Sequence, residues 1–153
     1  MKPYIYSVAA LIVVVGAILV ALSIASRKQP ELGLVDGRLQ PCPASPNCVC
    51  SEYPSNDAYI EPLNYIGPVE EAWRRVKRVI DETGGEVIAE QPDYLHAVYQ
   101  TPWLRFIDDV ELRLNQSQQV IHVRSASRVG RSDFGANRQR VERIRACFAS
   151  KPD

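Results

Sequence analysis

Histidine is scarce in this sequence, since His96 and His122 are the only two among 153 residues. They do not form a pair with the spacing of metal ligands, and no G-x-S-x-G segment marks a nucleophile elbow. The Cys-x-x-Cys spacing typical of zinc and thiol redox sites is missing as well. These absences predict a protein that binds no metal and no cofactor, and they argue against nucleophilic catalysis.

Charge is missing from the first part of the chain. From Tyr4 to Ala25 there are 22 residues without one Asp, Glu, Lys or Arg. A helix of this length, with a rise of about 1.5 Å per residue, spans the roughly 30 Å hydrocarbon core of a bilayer. We therefore predict that residues 1–26 form a transmembrane anchor, with residues 4–25 in contact with lipid. A signal peptide cleaved before Ser26 and a buried core helix are the alternatives.

The net charge is zero, and the positive residues do not clearly orient the anchor. Lys2 precedes the apolar segment, whereas Arg27 and Lys28 follow it. Because positive residues prefer the cytoplasm, this near balance leans slightly toward a cytoplasmic domain. From Ile121 to the end there are eight Lys/Arg and three Asp/Glu, and few aromatic residues lie among them. This composition favours anionic lipid or an envelope component over nucleic acid as a partner.

A proline-rich stretch follows the apolar segment. Seven of the 11 prolines lie between Pro30 and Pro68. Proline fixes φ and removes a backbone donor, so residues 27–56 are predicted to be an extended connector that lies against the domain. Residues 57–150 then form a single α+β domain.

The domain combines helical and strand patterns. Residues 68–85 predict a helix, with a proline at its start, an apolar stripe at helical spacing and two glycines at its end. Four strand patterns follow in residues 85–127, and residues 137–148 predict a second helix. Residues 58–66 add one possible edge strand. The sequence therefore predicts an α+β fold: an antiparallel sheet of four or five strands with two helices on one face, preceded by the transmembrane helix.

One predicted strand carries three carboxylates, at Asp108, Asp109 and Glu111. Side chains alternate between the faces of a strand, so Asp109 and Glu111 share the outer face while Asp108 is on the core side. In the register that matches the apolar faces, Glu111 lies opposite Arg124. This outer-face pair is expected to contribute about 0.2–1 kcal/mol.

The core position of Asp108 requires a polar partner. We predict that Asp108 pairs with Ser127, which lies opposite it, and with the neighbouring Arg128. The alternative is a hydrolase or a metal-assisted enzyme built from Asp108, Asp109 and His122. That alternative requires the three side chains to converge in one pocket.

Arg, Ser, Asn and Gly are concentrated between residues 124 and 138, where a strand leads into a helix. Glycines let backbone N–H groups converge, a helix N-terminus favours anions, and arginines add planar donor forks. This pattern predicts an anion or ligand site that comprises Arg124, Ser125, Ser127, Arg128, Arg131, Asn137 and Arg138. The alternative is structural: Asp133 or Asn137 caps the helix, the arginines pair with the acidic strand, and Arg140 lies on the solvated side of the helix.

Cysteine is clustered, since Cys42, Cys48 and Cys50 fall within nine residues. The C-x5-C and C-x-C spacings match neither the usual zinc nor the usual redox motif. In an oxidising compartment, a loop closed by Cys42 and either Cys48 or Cys50 is sterically reasonable. The fourth cysteine, Cys147, is expected to be an ordinary buried thiol of the last helix.

Four segments occur in order along the soluble part: LGLVDGRLQPCPASPNCVCS, YIEPL, DDVEL and IHVRSASRVGRSDFGANRQRVERIR. Together, from about Leu32 to Phe148, they make the chain similar to the domain-of-unknown-function 1499 family. The resemblance implies a small exported or membrane-attached protein without an assigned activity, and therefore a domain outside the cytoplasm. It also implies a disulfide between Cys42 and Cys48, because the family pattern has cysteine at both positions and often serine at Cys50.

These observations lead to one hypothesis and two alternatives. The protein is expected to be a single-pass protein of the inner membrane, with its C-terminal domain in the periplasm or an equivalent space. It would bind an anionic lipid, another anionic ligand or an envelope component rather than catalyse a reaction. A structural polar network is predicted to comprise Asp108, Asp109, Glu111 and Asp133. The alternatives are the enzyme described above and a structural partner of another membrane protein.

Overall fold

The computed structural model describes residues 2–150, which form three helices and eight strands. The elements in chain order are α1 (Lys2–Ser26), β1 (Leu34–Val35), β2 (Arg38–Leu39), β3 (Cys48–Cys50), β4 (Leu63–Asn64), α2 (Val69–Glu82), β5 (Gly85–Glu90), β6 (Tyr94–Gln100), β7 (Ile107–Asn115), β8 (Val120–Ser127) and α3 (Ala136–Ser150). The predicted α+β fold is confirmed, with both predicted helices of the domain present as α2 and α3.

Helix α1 is exposed along most of its length. Its mean hydropathy reaches 3.0 between Tyr4 and Ser26, so its length and composition fit a membrane anchor or a signal sequence. In the last turn Ser26 is fully buried. The backbone N–H of Ile107 donates to Ser26 Oγ (3.2 Å), and Arg128 Nη1 donates to the Ser26 carbonyl (3.3 Å). The helix end is therefore joined to the sheet where β7 begins and β8 ends.

The main sheet is antiparallel and has the strand order β3-β8-β7-β6-β5, while β4 pairs with another part of β8. The predicted register of β7 against β8 is confirmed, from Asp108 opposite Ser127 to Leu114 opposite Ile121. The sheet has six strands because the connector contributes the short strand β3. Backbone pairing thus makes part of the connector integral to the domain.

Helices α2 and α3 cover one face of the sheet, which we call the apolar face. Helix α2 follows Pro68 and ends before Gly84, whose φ of 89° suits a glycine better than any other residue. The sheet contributes fully buried apolar side chains to this core, among them Leu95, Val110, Leu112 and Val123. Burial of these side chains against the two helices is the main hydrophobic contribution to the fold.

The connector covers the other face of the sheet. Strands β1 and β2 pair with each other, and Leu39 of β2 is fully buried in a small cluster with Cys50 and Tyr94. A disulfide joins Cys42 to Cys48, with 5.6 Å between the Cα atoms. The predicted pairing is confirmed, and it closes a short loop directly before β3.

Candidate functional site

The face of the sheet beneath the connector is built from charged side chains, and we call it the polar face. Asp109, Glu111 and Arg124 lie on it with exposed fractions of only 2%, 0% and 8%. The sequence predicted Asp109 and Glu111 on an outer face. The connector folds over that face, so the contribution expected for a solvated cross-strand pair does not apply to these buried charges.

Glu111 joins three separate parts of the chain. Arg124 Nη1 of β8 donates to Glu111 Oε2 (2.9 Å), and the Tyr94 hydroxyl of β6 donates to Oε1 (2.8 Å). The backbone N–H of Gly33, in the connector, also donates to Oε1 (3.1 Å). Burial and the neighbouring carboxylate of Glu111 raise the pKa of Tyr94, so this hydroxyl remains a donor.

Asp109 forms a second buried cluster next to Glu111. Arg128 holds it with two hydrogen bonds, from Nε to Oδ2 (2.8 Å) and from Nη2 to Oδ1 (2.7 Å). His96 Nε2 lies 2.7 Å from Asp109 Oδ1. Burial raises the pKa of Asp109, but the hydrogen bonds from Arg128 and His96 outweigh it and hold the pKa below its ordinary value. The carboxylate is therefore ionised at neutral pH.

Glu52 fastens the connector to the sheet. Its carboxylate accepts hydrogen bonds from Arg113 Nε of β7 (2.6 Å), from Arg38 Nε (2.8 Å) and from the backbone N–H of Leu39 (3.2 Å). Although burial raises the pKa of Glu52, these donors lower it further than burial raises it. The ion pairs thus join two connector segments to β7.

A serine and a histidine meet at the same edge of the polar face. Ser51 Oγ accepts the backbone N–H of Val123 (2.9 Å) and lies 3.1 Å from His122 Nδ1. Burial lowers the pKa of His122, which favours the neutral imidazole. Ser51 is itself buried, so this pair has the geometry of a structural hydrogen bond and gives a substrate no access to the hydroxyl.

A cleft of about 340 Å³ separates part of the connector from the polar face. Its sheet side includes Asp109, Arg124 and Arg128, and its connector side includes Pro30 and Leu32. Arg124 has an unusual donor, because its buried Nε–H has no hydrogen-bond partner within the part of the chain that the structure describes. Such unpartnered donors are rare in folded proteins.

Asp108 lies on the apolar face, as predicted, but its cationic partner is different. Arg140 Nη2 donates to Asp108 Oδ2 (2.5 Å), and Arg140 Nη1 donates to Asn137 Oδ1 (2.5 Å). The expectation that Arg128 pairs with Asp108 was wrong, because Arg128 reaches Asp109 on the opposite face. The solvated position expected for Arg140 was also wrong, since α3 directs this side chain toward the sheet.

The N-terminus of α3 is capped by the chain's own carboxylate. Asp133 Oδ2 accepts the backbone N–H of Asn137 (2.7 Å), and its Oδ1 accepts that of Gly135 (3.0 Å). Asn137 is fully buried and donates from Nδ2 to Ser127 Oγ (2.9 Å), while Ser125 Oγ donates to Asn137 Oδ1 (2.6 Å). These bonds occupy the groups that a ligand at this helix end would need.

The seven residues predicted to bind an anion do not form one open site. Only three of them line the cleft: Arg124, Ser127 and Arg128. The side chains of Ser125 and Asn137 bond to each other under α3. The remaining two, Arg131 and Arg138, are exposed, and Arg138 donates to the carbonyl of Tyr59 (2.9 Å).

The residues of the alternative enzyme site do not converge. Asp108 and Asp109 lie on opposite faces, and His122 pairs with Arg113, four residues along β7 from Asp109. Sequence reasoning missed His96 as the partner of Asp109. The signal was present, because the register of β6 places His96 directly opposite Glu111 and therefore diagonal to Asp109.

The comparison with family models gives one match, the protein of unknown function family DUF1499, over residues 38–148. The match begins at β2 and ends in α3, so it includes the disulfide loop, β3 and both faces of the sheet. Helix α1 lies outside it. No curated protein matches the chain. Because the match covers most of the chain, the protein belongs to the DUF1499 family.

Proposed function

We propose that this protein is a membrane-anchored binding module whose cleft takes a small anionic group, such as a phosphate or a lipid headgroup. The observation that carries the proposal is Arg124, a cation that lines the cleft and whose buried Nε–H has no acceptor among the described residues. An anionic oxygen would satisfy it with a charge-assisted hydrogen bond.

The arrangement of charges supports an anion rather than a cation. Glu111 uses its carboxylate on Arg124, Tyr94 and Gly33, and Asp109 uses its carboxylate on Arg128 and His96. The carboxylates are thus already engaged, whereas Arg124 keeps a donor. Engaged carboxylates hold the arginines in place and leave the remaining N–H for a ligand.

We further propose that α1 is an uncleaved anchor in the inner membrane and that the domain lies outside the cytoplasm. The disulfide between Cys42 and Cys48 supports this location, because disulfides persist in oxidising compartments. The weak charge balance across α1 favours the opposite orientation. The disulfide is the stronger argument, since it depends on the chemistry of the compartment rather than on a difference of one or two charges.

Binding can be tested on the full chain in detergent micelles, with inorganic phosphate and a short-chain phosphatidylglycerol as separate probes. We expect at least one probe to raise the thermal midpoint of the chain. Arg124→Lys keeps the charge beside Glu111 but removes Nε, so it should abolish most of that shift. Arg138→Lys, outside the cleft, is the matched control and should leave the shift unchanged.

The two probes separate the two sources of the anion. A shift with phosphate alone indicates a free anion, and a shift with the lipid alone indicates a headgroup. If neither probe shifts the midpoint, or if Arg124→Lys responds as strongly as the original chain, the cleft is not an anion site.

The location can be tested by trapping thiols in intact cells. In a chain that carries Cys50→Ser and Cys147→Ser, Cys42 and Cys48 are the only cysteines left that a thiol-reactive reagent could modify. If the domain is outside the cytoplasm, a thiol-reactive reagent should modify neither cysteine until a reductant is added. Modification of both without reductant would place the domain in a reducing compartment.

A further inference from the structure

Two aromatic side chains of the domain are almost completely exposed. The exposed fraction is 93% for Trp103 and 94% for Phe134, and the nearby Leu104 is 40% exposed. Phe134 also has a φ of 53°, a conformation that bulky residues rarely adopt. We call Trp103, Leu104 and Phe134 the aromatic rim. Large apolar groups in such positions point to a surface that covers them.

The rim lies at the end of the domain to which α1 is joined. Trp103 and Leu104 belong to the loop before β7, and Phe134 belongs to the loop after β8. Ser26, the last residue of α1, bonds to Ile107 at the start of β7. It also accepts from Arg128, one residue beyond β8. Both loops therefore leave the sheet next to the end of the apolar helix.

The loop that carries Phe134 also lies alongside the apolar part of α1. A cavity of about 370 Å³ is lined by Leu19 and Leu22 of α1 and by Phe106 and Phe134 of the domain. Leu22 is four residues before Ser26 and Leu19 is seven, which corresponds to about 6 and 10 Å along the helix axis. The loop thus extends past the end of α1 toward the region where a bilayer would begin.

Positive side chains surround the rim. Arg27 and Lys28 follow α1, Arg105 follows Leu104, and Arg131 lies in the loop of Phe134; all four side chains are exposed. Two acids of the same region are engaged within the domain: Asp133, in the loop of Phe134, with the N-terminus of α3, and Asp108, near the start of β7, with Arg140. Exposed cations next to aromatic rings suit a surface of anionic headgroups.

We infer that the aromatic rim inserts into the headgroup region of an anionic bilayer and holds the domain down on the membrane surface. Trp is enriched at this depth, Phe occurs with it on the apolar side of segments that lie in the interface, and Arg side chains extend from it to the phosphates. The inference rests on the proposed role of α1 as a membrane anchor. A second copy of the chain or a partner protein would also cover the rim. Neither explains why the rim lies beside the end of the apolar helix α1, where a bilayer surface would be.

Ile66 provides a matched comparison elsewhere on the domain. Its side chain is also 93% exposed, but it follows β4, whose Asn64 pairs with Val120 at the beginning of β8. The rim lies near the other end of β8. Seven residue steps along that strand correspond to roughly 23 Å, so Ile66 is far from the end of α1.

The test uses the full chain in vesicles of phosphatidylcholine and phosphatidylglycerol. Trp73 and Trp103 are the only tryptophans, so Trp73→Phe leaves Trp103 as the sole tryptophan, which can be excited selectively over the seven tyrosines. We expect its emission to shift to shorter wavelength in vesicles and to be quenched several-fold more by lipids brominated near the headgroup than by lipids brominated at the chain end. If Trp73→Phe does not fold, the difference between the original chain and Trp103→Phe gives the same signal.

The control replaces both tryptophans with phenylalanine and introduces Ile66→Trp, which should show neither a shift nor quenching. Flotation of the vesicles after alkaline extraction measures insertion of α1 independently. If α1 stays inserted but Trp103 is not quenched, the rim does not touch lipid and the inference is wrong. A blue shift without quenching by the brominated lipids would mean that a protein surface covers the rim, and this result would also overturn the inference. Loss of α1 from the vesicles would overturn the anchor and, with it, this inference.

Discussion

The two faces of the sheet are buried to a similar degree but by different interactions. On the apolar face, Val110 and Leu112 pack against α2 and α3. On the polar face, Asp109 and Glu111, which alternate with these apolar residues along β7, carry buried charges beneath a connector with little regular structure. One strand thus contributes to a hydrophobic core and to an ion-pair network through alternate residues.

The difference affects how each face responds to change. Apolar packing is non-directional, so the loss of a methyl group costs free energy roughly in proportion to the cavity that remains. Buried ion pairs balance a large desolvation cost against specific contacts, so the loss of one partner leaves an uncompensated charge. The polar face should therefore tolerate the removal of a whole pair better than the removal of half of it.

The largest effect is expected for Glu111→Ala. It leaves the guanidinium of Arg124 buried without its carboxylate, and we expect the free energy of unfolding to fall by about 3–5 kcal/mol. The measurement is urea-induced unfolding of the full chain in detergent micelles. Leu112→Ala on the apolar face should cost about 2–5 kcal/mol for a different reason, the cavity that it leaves.

A double variant separates the two causes. Glu111→Met combined with Arg124→Met removes both charges and nearly keeps the volume, so we expect it to be more stable than Glu111→Ala. Recovery should be incomplete, because the Tyr94 hydroxyl and the Gly33 N–H lose their acceptor, at a cost of about 1–3 kcal/mol each. A double variant as unstable as Glu111→Ala would show that the polar face depends on the pair itself rather than on avoiding an unpaired charge.

An intermediate effect is expected for the disulfide. Replacing Cys42 and Cys48 by serine releases a loop of seven residues, and chain-entropy arguments predict a loss of about 2–3 kcal/mol. The loop lies in the connector, so the polar face should open first. Hydrogen exchange should become faster at the backbone N–H of Leu39, which bonds to Glu52, while Leu112 keeps its protection. Equal loss of protection at both would mean that the two faces unfold together.

The smallest effect is expected for the pH dependence of the free energy of unfolding, which arises from titratable groups on the polar face. The pKa of His122 in the folded chain is below its unfolded value of about 6.5, so the unfolded chain takes up a proton first and stability falls as the pH falls below that value. The pKa values of Asp109 and Glu52 are also lowered on folding. Their contribution is present above roughly pH 4 and is lost as the pH falls through the lowered values.

Urea unfolding between pH 8 and pH 3 should therefore show that the free energy of unfolding first decreases slightly, as His122 is protonated in the unfolded chain. It should then decrease more steeply, as the carboxylates of Asp109 and Glu52 are protonated. His122→Gln should remove the shallow decrease and keep the steep one. Leu112→Ala should lower the whole curve without changing its shape. If stability increased between pH 7 and pH 5 in the original chain, the assignment to His122 would be incorrect.

Much of the fold could be predicted because it depends on periodic patterns. The apolar residues of β7 and β8 determine which faces match, and this gave the register from Asp108 opposite Ser127 onward. The proline and glycines around residues 68–85 correctly indicated the limits of α2. These features are local or depend on neighbouring strands, so short segments are enough to reveal them.

The candidate site was less predictable because it depends on contacts between distant segments. The Glu111–Arg124 partnership followed from the strand register, but the Gly33 N–H that completes it lies 78 residues before Glu111. Asp108 and Asp109 are adjacent in sequence, yet their arginines come from α3 and from the residue that follows β8, respectively. Charge and spacing alone do not distinguish these pairings.

The sequence by itself determined that an apolar segment precedes an α+β domain of the DUF1499 family, since length, hydropathy and periodicity are local properties. Only the tertiary structure decided that the acidic side of β7 is buried. Alternation divides the residues of a strand between two faces, but it does not state which face meets solvent. That depends on where the connector lies, and its position is determined by contacts such as those of Glu52 and Leu39, which form only when the chain has folded.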